Sequence, residues 1–83
     1  MVILNVIPGA IFKRKNPIII GVNIIEGELN VGTTLFIENV ELGVVTGIEH
    51  NHLQILHANN AMRVAISINS NTKFLDIYEL LHG

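Results

Sequence analysis

Residues 18–37 read IIIGVNIIEGELNVGTTLFI, and how this stretch folds decides the architecture of the chain. Successive side chains of a strand point to opposite faces, so Ile18, Ile20, Val22 and Ile24 share one side of an extended backbone while Ile19 and Ile25 lie on the other. We expect the first set in the core. Glycine takes φ > 0 without steric cost, so the spacing Ile24-x-x-Gly27-x-Leu29-x-x-Gly32-x-x-Leu35-x-Ile37 predicts a strand, a turn at Gly27, a second turn at Gly32 and a returning strand. The expected result is a β-ribbon folded back on itself. Glu26 and Glu28 read as solubilising charges on its exposed side.

The 83 residues are 49% hydrophobic and carry few charges, Lys+Arg 5 against Asp+Glu 7. A chain of this length makes one domain and buries only about 60–65% of its unfolded surface, which leaves no room for a second, catalytic domain. The hydrophobic excess is β-branched, which suits a pleated sheet and predicts an all-β core. Such an apolar balance also predicts that part of the surface is covered by another molecule. Every long apolar run is interrupted by Asn, Lys, Glu or Gly before the roughly 18 residues a membrane-crossing helix needs, so no membrane span is expected. Zero cysteines rules out disulfides and thiolate metal sites and agrees with a reducing, cytoplasmic setting. The net charge of −2 gives no whole-chain attraction to nucleic acid, so any such contact has to be a local patch.

Outward from the ribbon, residues 2–7 form a first strand that Pro8-Gly9 bends before Ala10-Ile11-Phe12 resume it. Lys13-Arg14-Lys15-Asn16-Pro17, the one basic run, reads as a loop, because the residue before proline is pushed out of the α region. After Gly32 come strands over residues 34–38 and 42–49. Alternation in the second of these places Leu42, Val44 and Ile48 inward, with Gly43 and Gly47 on the other face permitting a bend. His50-Asn51-His52 turns into a strand over 53–58, Asn59-Asn60 turns again, and a last strand over 62–68 has Val64, Ile66 and Ile68 on one face. Six or seven short strands at this spacing fit a barrel or a sandwich, and we favour a small closed antiparallel barrel. The tail changes period. Phe74, Ile77, Tyr78 and Leu81 fall at i, i+3, i+4 and i+7, the stripe of a helix capped by Ser70-Asn71-Thr72, with Leu75 and Leu80 off the stripe. A helix of about ten residues is marginal alone and is expected to dock on the barrel. The domain reading is therefore a barrel over 1–69 and a docked helical extension over 70–83.

No phosphate loop, dinucleotide fingerprint or zinc-protease motif occurs. His50 and His52 form an H-x-H pair that would share one face of a strand and could hold a metal; as turn residues they are simply exposed polar rings, and no third ligand stands at an evident spacing. No Ser/His/Asp set has a recognisable context. We expect no cofactor, no metal and no catalysis. Lys13, Arg14 and Lys15 are the one patch suited to phosphate, with Phe12 beside them for stacking, although a solvated loop tip has the same composition. Leu75 and Leu80 suit either ordinary exposure or one wall of an apolar groove.

Residues 21–33, GVNIIEGELNVGT, and 42–52, LGVVTGIEHNH, together with Ile7-Pro8-Gly9-x-x-Phe12 and the basic loop after it, resemble the C-terminal barrel, domain IV, of translation initiation factor five-B, a relative of bacterial initiation factor two. The likeness runs over about residues 4–69. It implies a barrel similar to domain II of translational GTPases, in a factor whose GTPase domain lies elsewhere. It further implies a non-enzymatic domain that recognises the methionylated acceptor end of initiator tRNA, while its terminal helices receive the tail of initiation factor one-A during ribosomal subunit joining. On that likeness Lys13, Arg14, Lys15 and Asn16 are the candidate RNA contacts, positioning phosphates and not reading sequence. Phe74, Leu75, Tyr78 and Leu80 are the candidate partner surface. The chain departs from the family pattern where lysines and a glycine are usual in the last barrel turn: it has Asn59, Asn60 and Ala61 there, and Leu56 stands in place of an acidic residue. The expected protein is a cytoplasmic monomer that meets initiator tRNA, factor one-A and the ribosome. The rival reading is a protein–protein adaptor barrel with no RNA role. A lipoyl-type carrier would need a lysine at a hairpin tip, and the tips at Gly27 and Asn39 offer none.

Overall fold

The computed structural model describes residues 2–13, 17–37, 40–59 and 61–69. At its centre two regular strands, β2 (Ile18–Glu26) and β8 (Arg63–Asn69), pair antiparallel without a register shift from Ile18↔Ile68 to Asn23↔Arg63. Directly opposed residues share a face, so the pairs Ile18–Ile68, Ile20–Ile66 and Val22–Val64 all point inward, and all six are buried. Each such aliphatic side chain contributes roughly 1.5–3 kcal/mol by leaving water. The opposite face carries the pairs Ile19–Ser67, Gly21–Ala65 and Asn23–Arg63, and Arg63 Nε donates to Asn23 Oδ1 at 3.2 Å. The expected inward residues of these two strands are therefore where the alternation put them. Ile25, on the outward set, is exposed.

Around this pair stand β1 (Ile3–Lys13), β4 (Thr34–Ile37), β5 (Val40–His50) and β6 (Leu53–Ile55), in a sheet ordered β1-β2-β8-β5-β4 with β6 also on β5. The described residues are all-β and antiparallel, as expected. Among them the ladder does not join β1 to β4, so the sheet is a curled half-barrel where we anticipated full closure. Two short strands, β3 (Leu29–Asn30) and β7 (His57–Ala58), form a separate pair whose facing residues Leu29 and Ala58 are both buried in the core. The C-terminal helix expected over 70–83 lies outside the described residues.

The ribbon over residues 18–37 does not fold back as a hairpin. Gly27 and Gly32 make the expected turns, with φ of 82° and 99°. The strand that follows them, however, pairs with β5 and not with β2. Strand β8 lies between β2 and β5, so β4 sits three strand spacings from β2, about 14 Å along the sheet. Residues 27–33 bridge that gap, held by β3 on β7 and by backbone bonds from Val31 N to Leu56 O (3.1 Å), Gly32 N to Val45 O (2.7 Å) and Val45 N to Thr33 O (2.8 Å).

Strand β5 also corrects an inward assignment. Val45, not Val44, is fully buried, with Leu42 and Ile48; Val44 is half-buried. The register against β4 slips between Leu35↔Gly43 and Phe36↔Glu41, and the register against β8 slips between Val45↔Ile68 and Gly47↔Ser67. Each slip is a bulge that inserts one residue on β5 and advances the side-chain phase by one. Inward positions thus fall three apart, at 42, 45 and 48. Gly43, at the first bulge, has φ 148°, a backbone that side chains rarely adopt. Gly47 has no such constraint, and a Cβ there would meet only ordinary contacts, Gln54 Oε1 at 3.6 Å being the nearest.

The expected strand over 53–58 is interrupted at Leu56, where the chain leaves β5 and crosses to β3. The last turn contains a left-handed residue. Met62 N bonds Asn59 O at 3.2 Å, and Ala61, third in that turn, has φ 70°. Ala61 N donates to Ile24 O and Ile24 N donates to Met62 O, each at 2.9 Å, so residues 61 and 62 together face Ile24 as a bulge of the kind that favours glycine first.

Candidate nucleic-acid interface

Strand β1 ends the sheet and is shaped by two irregularities. Val6 opposes Val22 and Ile11 opposes Ile20, so the four residues 7–10 arch over Gly21 alone. Pro8 and Gly9, the latter with φ 79°, form the crown of the arch, the bend expected from the sequence. Past it, Ile11 opposes Ile20 while Lys13 opposes Ile19, which leaves Phe12 as the extra residue of a bulge. Such an insertion re-aims a side chain. Phe12 is consequently 67% exposed, and Lys13 beside it is exposed as well.

Lys13, read from the sequence as the start of a loop, is instead the last residue of β1 and directly follows the exposed Phe12. Arg14, Lys15 and Asn16 lie outside the described residues, as do Phe74, Leu75, Tyr78 and Leu80. The register separates the charges along β1: Glu26 opposes Ile3 at one end, with Glu28 just beyond it, and Lys13 opposes Ile19 at the other. Glu41 is at the Lys13 end but three strands across the sheet. An anion approaching Lys13 thus meets no carboxylate on β1 or on the facing part of β2.

The histidine pair divides. His50 closes β5, while Asn51 and His52 form the two-residue loop to β6, with φ of 52° and 65°. Both central residues at positive φ mark a type I′ hairpin turn. The His52 side chain is 99% exposed, with Nδ1 3.9 Å from Glu49 Oε1. Among the described residues no three His, Asp or Glu side chains gather as a metal site.

Phe36 and Leu53, exposed apolar side chains, were not singled out in the sequence, and Leu56 was noted only as replacing an acidic residue. Phe36 turns outward because Leu35 turns inward, an alternation legible in hindsight. Leu53 (69% exposed) opens β6 and Leu56 (75%) is the break between β6 and β7, which no local pattern marks.

Comparison with known proteins places this geometry. The family model "Elongation factor Tu domain 4" matches residues 2–77, a domain other than the GTPase core. The chain is 34% identical over 68 residues to Eukaryotic translation initiation factor 5B of Rattus norvegicus, covering 78% of this chain and 6% of that protein. It is 39% identical over 69 residues to Probable translation initiation factor IF-2 of Caldivirga maquilingensis, covering 82% of this chain and 12% of that one. The crystal structure of GDP-bound aIF5B from Aeropyrum pernix superposes with a TM-score of 0.77 at 28% identity, over 81% of this chain and 11% of that chain. The chain thus spans about a tenth or less of the relatives it matches. No helix among the described residues is long and apolar enough to cross a membrane. The expected resemblance holds: this chain belongs to the elongation factor Tu domain 4 family, as a domain IV of the kind found at the C-terminus of the initiation factor 5B and IF-2 proteins.

Proposed function

We propose that this chain acts in translation initiation as a non-catalytic recognition domain. It binds the acceptor end of methionylated initiator tRNA and the tail of initiation factor one-A while ribosomal subunits join, in the cytoplasm and as a monomer. The observation that carries this reading is the match of residues 2–77 to a family whose similar members are named as initiation factors. Phe12 and Lys13, turned out together by the bulge at the end of β1, support the RNA part. Lys13, Arg14, Lys15 and Asn16 grip the phosphate backbone, and the exposed ring offers a stacking face. Phe74, Leu75, Tyr78 and Leu80, in the tail beyond the described residues, meet factor one-A. With only three basic residues in the loop, affinity is modest and falls with salt.

The test is initiator tRNA binding across a salt series, with Lys13→Ala, Arg14→Ala and Lys15→Ala combined. Each lost contact to single-stranded RNA lowers the logarithmic salt slope by ~0.7, so the triple variant should flatten it by about 2. An unchanged slope removes this loop from RNA binding. The exposed Phe36, Leu53 and Leu56 favour a second reading, a protein–protein adaptor with no RNA role. Offering tRNA and a factor one-A tail peptide together separates the two, because only an adaptor would ignore the tRNA.

A further inference from the structure

We draw no further inference here: the strongest candidate, the apolar corner past the β5–β6 hairpin where Leu53 and Leu56 are exposed and Leu56 is hydrogen-bonded through its backbone to Val31, is an unpartnered surface, and nothing in the structure shows what covers it.

Discussion

Replacing Gly21 with alanine should destabilise the domain by driving β2 into the arch of β1. A Cβ built on Gly21 would lie 2.9 Å from Ala10 Cβ, 3.5 Å from Ile7 Cδ1 and 3.8 Å from the Ala10 carbonyl oxygen. Carbon atoms prefer separations of about 3.5–4.0 Å, so the arch has to lift by something under ~1 Å. It cannot lift freely, because it is pinned on both sides by the pairs Val6–Val22 and Ile11–Ile20. Gly21 does not occupy the left-handed region, so the penalty is steric alone. Overpacking of this sort costs about 1–3 kcal/mol, while restricting the unfolded chain returns about 0.4–1 kcal/mol. The net expectation is a loss of ~1 kcal/mol, or about 4–8 °C in Tm for a domain of this size. With no tryptophan and one tyrosine in the chain, far-UV circular dichroism during urea and thermal unfolding is the suitable probe. A double-mutant cycle isolates the contact: Ala10→Gly removes the nearest carbon, so Gly21→Ala with Ala10→Gly should show a favourable coupling of about 1 kcal/mol. Gly47→Ala is the control, where all Cβ contacts are 3.6 Å or longer and stability should hold or rise slightly. A Gly21→Ala protein as stable as its parent, or one that Ala10→Gly fails to rescue, would refute the packing account.

Three further substitutions test the corrected details. Val45→Ala should cost about 2–3 kcal/mol in urea unfolding and Val44→Ala less than about 1 kcal/mol, because only Val45 is fully buried; equal losses would sink the bulge phasing of β5. Ala61→Gly should stabilise by about 0.5–1 kcal/mol, since the left-handed backbone costs an alanine roughly 1–2 kcal/mol and the added freedom of the unfolded chain takes back part of it. A lower Tm for Ala61→Gly would contradict that geometry. His52→Gly should raise Tm by a few degrees, as Asn-Gly suits a type I′ loop better than Asn-His and the 3.9 Å contact with Glu49 is too exposed to matter; a fall in Tm would mean that the His52 ring holds the hairpin.

Of the candidate site, Phe12 beside a basic run was legible, but the continuation of β1 through Lys13 was not, since that run read as a loop. The bulge that exposes the ring was not, because it exists only in the pairing with Ile19 and Ile20. The sequence marked Asn59-Asn60 as the turn tolerant of left-handed geometry, and the structure has the neighbouring Ala61 there, with φ 70°.

The sequence by itself determined β2 and β8, their inward sets and the all-β class. Those properties follow from alternation along one strand, which depends on near neighbours alone. Only the tertiary structure decided that β8 lies between β2 and β5, so that the Gly27–Gly32 segment spans the sheet and does not close a hairpin. The same holds for the inward positions of β5. A bulge changes the partner of one residue across the ladder, and that choice is made by strands distant in sequence, which register the whole inner face at once.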